Sequence, residues 1–210
     1  GEVDEYLGPK ATAGGVRFDK TQSSTTLNLD TDSARLLGTT RTFSFWIKTS
    51  LSDFQAILGS DTFTSSGFEI TLWADGILRL ELKTSGGSAR LRFGSAINDG
   101  KWHNCVFKID WTSNDATNFP DVDVYIDGEL ASKTIQTAYS GTYSTTATFI
   151  EAFARGTGIP VDGSIRDLAI FNRALSASEV ADLYRNGLAG IADADRWGES
   201  ANTLEADWSS

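Results

Sequence analysis

Residues 163–187 change their hydrophobic period midway, and that change restricts the possible folds more than any other stretch. Ile165, Asp167, Ala169 and Phe171 alternate with Arg166, Leu168, Ile170 and Asn172. A period of two is what a strand imposes, because successive side chains leave it on opposite faces. Ser176 then offers a helix N-cap, with Glu179 three residues on as the reciprocal partner of a capping box. Val180, Leu183, Tyr184 and Leu188 follow at helical spacing, and Gly187 offers a left-handed stop. A closing strand followed by a short amphipathic helix predicts a sheet protein with one terminal helix.

Upstream, short strands alternate with turn signals, as an all-β, two-sheet antiparallel sandwich requires. Gly14-Gly15 precedes a strand at 16–18, Gly86-Gly87 one at 89–93, and Asp99-Gly100 one at 102–110. Asp75-Gly76 separates strands at 68–73 and 77–83 and predicts a type I′ hairpin turn. Asp127-Gly128 ends a strand at 122–126, while 112–120 and 137–146 read as polar surface loops. Splitting each strand by parity gives one nearly pure hydrocarbon face. It collects Phe43, Phe45 and Ile47; Phe68, Ile70 and Leu72; Leu78, Leu80 and Leu82; Cys105, Phe107 and Ile109; and Val122, Val124 and Ile126. Those positions are predicted to lie between the two sheets.

Composition narrows the functional classes. The formal charge is −10 with Lys and Arg scattered, so a phosphate backbone would be repelled and no nucleic-acid partner is expected. No apolar run is long enough to span a membrane, and the start is not signal-like. Methionine is absent, even at position 1, which reads as a processed form or a piece of a larger protein. The single Cys105 cannot form an internal bridge and shares a face with Phe107, so it reads as a small buried hydrophobe. A catalytic reading would pair it with the lone His103 two residues away. His and Cys are too few for a zinc site.

The strand faces opposite the hydrocarbon set mix polar groups with large aromatic rings. Trp and Tyr offer flat apolar platforms for the CH-rich face of a pyranose, and neighbouring polar side chains can bond its hydroxyls. Trp46, Trp73, Asn104, Lys108, Asp123 and Tyr125 are the candidate sugar contacts on this reasoning. Cross-strand packing accounts for the same residues equally well.

Residues 163–184, G-S-I-R-D-L-A-I-F-N-R-A-L-S-A-S-E-V-A-D-L-Y, resemble the closing segment of the laminin-G-like (concanavalin A-like) jelly-roll domains, G-x-I-D-E-V-R-I-Y-N-R-A-L-S-x-x-E-I-x-x-L-Y. T-F-S-F-W-I-K at 42–48, D-G-K-W-H-N-C-V-F-K at 99–108 and V-D-V-Y-I-D-G-E-L at 122–130 are similar to three further landmarks of that family, in the same order. The resemblance implies one jelly-roll domain over 1–190. An acidic tail follows at 191–210, either a linker or a segment that docks on the domain or a second subunit. Hydrolytic relatives carry E-x-D-x-(x)-E, whereas the nearest match here is Asp121, Asp123 and then Tyr125, so no enzyme is expected. Relatives hold calcium with the Asp of G-x-I-D, where this chain has Arg166. A guanidinium partnered by Asp19 or Asp162 would replace the ion, so no cofactor is expected. The loop that carries calcium-bound ligand in pentraxin-like relatives corresponds to 151–158, which has one acid. The resemblance thus implies a non-catalytic, lectin-like module that binds glycans, within a larger secreted, cell-surface or virion protein. The alternative is a structural or interaction domain of a virion or adhesin that contacts neighbouring domains or subunits and binds no sugar. A face filled by its own Arg79, Glu81 and Lys83 pairs would favour the alternative.

Overall fold

The computed structural model describes residues 10–12, 15–18, 27–29, 37–60, 63, 66–112, 116–146, 150–153 and 161–197. Among them run β1 (Lys10–Thr12), β2 (Gly15–Phe18), β3 (Leu27–Leu29), β4 (Thr40–Lys48), β5 (Gln55–Ser60), β6 (Gly67–Leu72) and β7 (Leu78–Thr84). These are followed by β8 (Gly87–Phe93), β9 (Trp102–Asp110), β10 (Asp121–Ile126), β11 (Glu129–Leu130), β12 (Lys133–Thr137), β13 (Ile150–Ala152), β14 (Gly163–Phe171) and α1 (Ala177–Trp197). Sheet I has the order β1-β2-β14-β4-β9-β10-β11 and sheet II the order β12-β8-β7-β6-β5-β13-β3. All pairings are antiparallel, so this is the two-sheet jelly-roll sandwich that the strand pattern implies. No described helix is long and apolar enough to cross a membrane.

The hydrocarbon face lies between the sheets, where Phe43 meets Phe68 across the gap at 5.5 Å and Phe93 meets Phe107 edge-on at 5.7 Å. β5 is buried along its whole length although its sequence, Q-A-I-L-G-S, shows no clean alternation. A register shift between Ala56 and Leu58 explains the lost period. The stretch at 138–146 is not a plain surface loop. Tyr143 is buried and stacks on Trp111 with ring centroids 4.4 Å apart, plugging one end of the core.

Three local expectations are corrected. Asp75 does not take the positive φ of a type I′ turn. Instead Gly76 N–H donates to the Trp73 carbonyl and Gly76 alone has φ +73°, a three-residue loop braced by the Asp75 carboxylate on Ile77 N–H. The type I′ pattern occurs at Asp127-Gly128, with φ of 53° and 81°. In β14 a bulge at Asp167, φ 52°, shifts the register between Arg166 and Ala169. Ile165 and Ile170 therefore pair with Ile47 and Phe43 of the interior face, while Phe171 pairs with Thr42 and packs outside the sheet. Finally, the capping box forms as expected, with Ser176 N–H on the Glu179 carboxylate at 2.8 Å and Glu179 N–H on Ser176 Oγ. The helix nevertheless runs through Gly187 to Trp197, into the stretch assigned to the tail. Gly187 is needed for a close approach, since a Cβ there would enter the Trp46 indole.

Candidate functional site

The six candidate contacts do not form one site. Trp46, Asn104, Lys108, Asp123 and Tyr125 lie on β4, β9 and β10 in sheet I, on its outer face. Helix α1 covers the part of that face around Trp46 and Val106. Trp46 is only 2% exposed, with Tyr184 of α1 stacked on its ring at 5.7 Å and 14° and the Arg166 guanidinium 5.0 Å from its centroid. Tyr125 packs against Val106, Leu175 and Val180 at the helix seam. Lys108 and Asp123 pair with each other at 3.2 Å. Trp73 stands apart, at the end of β6 in sheet II. Alternation in sequence assigns a side chain to the inside or the outside, but two sheets have two outsides.

The surroundings of Trp73 are cationic, and they include Arg79 of the Arg79, Glu81 and Lys83 set expected to pair on its own face. Its Nε1 donates to Thr71 Oγ1 at 3.1 Å, and Phe54 meets the ring edge-on at 5.8 Å. The Arg79 and Arg90 guanidiniums stand 4.4 and 5.3 Å from the ring centroid, within cation–π range. Arg79, 4% exposed, is the fixed member. It donates to both Asp75 carboxylate oxygens at 2.9 and 2.8 Å, to the Ile77 carbonyl at 2.8 Å, and to Gln136 Oε1. That bidentate donation is the main reason the Asp75 carboxyl falls to about 2. Arg92, 43% exposed, lies 3.6 Å from the same carboxylate, and Arg90 pairs with Glu81 at 2.9 Å. Lys83 also reaches Glu81, at 3.8 Å. The register aligns Arg79 with Arg92 and Glu81 with Arg90, so β7 and β8 present their cations side by side. Four cations thus stand against Asp75, Glu81 and the buried Glu69 opposite it, beside a half-buried indole.

The candidate catalytic and metal residues lie as follows. Cys105 is fully buried and desolvation pushes its thiol up, the reverse of what a nucleophile needs. Asp121 and Asp123 are each within ion-pair distance of a lysine, Lys133 and Lys108. Among the described residues no three His, Cys, Asp or Glu side chains converge as a metal site would require. Arg166 is sandwiched between Trp46 and Trp102, at 5.0 and 5.4 Å, and donates to the Gly187 carbonyl. It therefore braces α1. Asp19, one of its two expected partners, lies outside the described residues, and Asp162 accepts the Thr49 hydroxyl on its backbone carbonyl.

His103 has a structural task. Its Nδ1 lies 2.8 Å from Asp127 and its Nε2 3.0 Å from Asp99. A neutral imidazole has one N–H, so two carboxylate acceptors are served only by the imidazolium. The Asp127 hydrogen bond leads in raising its pKa above 6.5, burial opposes it, and Asp99 adds to it. A raised folded-state pKa gives stability that is complete below about 6.5 and is lost as pH rises through the folded value. Urea midpoints of the native protein should therefore fall on going from about pH 6 to pH 9, and those of His103→Leu should stay level. A native curve with no slope in that window would refute the double pairing.

The fold has relatives among solved structures. The CBM40 of the Ruminococcus gnavus IT-sialidase aligns with a TM-score of 0.58 at 19% identity, over 81% of this chain and 96% of that one. The same module has been solved bound to α2,3 sialyllactose. The SAP-like pentraxin from Limulus polyphemus aligns with a TM-score of 0.52 at 16% identity, over 83% and 84% of the two chains. The binding domain of botulinum neurotoxin DC, in complex with SialylT, aligns at 0.50 and 20% identity, over 71% of this chain and 36% of that one. At these identities the likeness speaks for the fold alone. A search of curated protein sequences finds no match. A model of the concanavalin A-like lectin/glucanases superfamily matches residues 20–181, most of the chain, and the protein therefore belongs to that superfamily.

Proposed function

We propose that the chain is a non-catalytic glycan-recognition module whose ligand is an acidic saccharide, bound at Trp73 on the outer face of sheet II. The observation that carries this reading is the indole flanked by Arg79 and Arg90, with Arg92 beside them. Arg79 is fully engaged and holds the framework, while Arg90 and Arg92 are the more exposed guanidiniums that can turn to a ligand carboxylate. The indole supplies the apolar platform for the ring. The likeness to a module solved with sialyllactose supports this chemistry without fixing the sugar. Such a module belongs outside a cell or on a virion, as part of a larger protein. A second reading rests on one observation: Asp75 and Glu81 already pair the face's cations, as a purely structural face would.

Titration calorimetry with α2,3 sialyllactose, α2,6 sialyllactose and lactose separates the two. Binding of the sialylated sugars is expected to exceed that of lactose, and Trp73→Ala should weaken it about tenfold or more, roughly 1.4 kcal/mol. A folded native protein silent to all three at about 10 mM, where even a binding energy of roughly 3 kcal/mol would register, favours the structural reading.

A further inference from the structure

Beneath α1 lies a buried amide without a partner. Asn104 is 1% exposed, pairs with Trp46 across the β4–β9 register, and among the described residues neither its side-chain oxygen nor its nitrogen meets a hydrogen-bond partner. A buried polar group left unpaired is destabilising, a penalty carried by the docked position of the helix. Among the described residues the apolar part of the seam is Val106, Leu175 and Val180, with Tyr125, Phe171 and Leu183 packed against them. The Trp46 platform beside the amide is occupied by the Tyr184 ring, stacked nearly parallel, and by the bare backbone of Gly187. A flat aromatic ring is what a pyranose would displace, and an amide offers the donor and acceptor that a pair of sugar hydroxyls needs. Lys108 and Asp123 further along this face neutralise each other, and Arg166 on the Trp46 ring lies within ion-pair distance of Asp167, so the face suits an uncharged ring.

We infer that the outer face of sheet I is a second saccharide-binding face, for a neutral sugar, which α1 keeps closed by laying Tyr184 on Trp46 over the unpaired Asn104 amide. Binding requires the helix to move, so apparent affinity is reduced by the small fraction of open molecules. Gly187 is the lever. A Cβ at that position runs into the rigid indole, so Gly187→Ala pushes the helix off the face.

The test uses lactose as the neutral probe in a Trp73→Ala background, which removes the site proposed on sheet II and keeps the two proposals separate. Gly187→Ala in that background should raise lactose affinity about tenfold or more by freeing the closed face. Adding Asn104→Leu should abolish the gain, whereas Asn104→Leu alone should raise the thermal midpoint, because it removes an unpaired buried amide. Should Gly187→Ala fail to melt cooperatively, Tyr184→Ser vacates the platform without moving the backbone and is read the same way. A folded opening variant that binds lactose no better overturns the inference. So does a gain that survives Asn104→Leu, or a loss of stability in Asn104→Leu alone.

Discussion

Phe107→Ala should destabilise the protein by about 3–5 kcal/mol, in the range of buried phenylalanine truncations. Phe107 is fully buried on β9, the strand between β4 and β10, and meets Phe93 of sheet II edge-on at 5.7 Å and 82°. Its ring also lies 6.4 Å from Phe45 on the neighbouring strand. Removing it empties the space between the sheets at a point where both contribute rings. Neighbours held by ladder hydrogen bonds cannot collapse into the gap, so the cavity term persists. With a single cysteine there is no internal disulfide to offset the loss. For a domain whose whole stability is of order 5–15 kcal/mol, that is a large share. Urea midpoints measure it, with Phe107→Leu as the milder control. A cost under about 1 kcal/mol would mean that the cross-sheet contact is not made in solution.

Arg79→Met should cost roughly 2–3 kcal/mol and also cripple saccharide binding at Trp73. The variant keeps an apolar stem against the indole but removes the donations to Asp75, the Ile77 carbonyl and Gln136. Trp73 would lose the cation nearest its ring, and Arg92 would draw closer to the released carboxylate. Sialyllactose affinity should drop about tenfold, as for Trp73→Ala. The pH dependence tests the cause. Asp75 is depressed to about 2 from 3.8, so the stability linked to it is present above about 3.8 and lost as pH falls through about 2. The stability gap between native protein and variant should narrow over that window. Screening at this half-exposed carboxylate keeps the linked part below what the displacement alone corresponds to. An equal gap at pH 5 and pH 2 would show that Arg79 acts through packing rather than through Asp75.

Much of the fold was legible because local rules decide it. Parity along a strand assigned Phe43, Phe45, Phe68, Leu80 and Phe107 to the interior, since a pleated backbone cannot send neighbours to the same side. Ser176 and Glu179 announced the helix start, because a capping box is made by residues three apart. The helix end was not legible. Gly187 has the chemistry of a stop, but here it is the one residue thin enough to lie on Trp46, a neighbour 141 positions earlier in sequence. The Asp167 bulge likewise breaks parity within β14 and turns Phe171 outward, and only the pairing with β4 reveals it.

The candidate site divides along the same line. By itself the sequence determined that aromatic and polar side chains would share the outer faces, because their positions alternate with the core. Only the tertiary structure decided which outer face each candidate joins, with Trp46 and Asn104 on sheet I, where Tyr184 of α1 stacks on Trp46, and Trp73 on sheet II. Alternation is a property of one strand and is set by bond geometry. Which sheet a strand joins, and what comes to rest on it, depends on contacts between residues far apart in the chain.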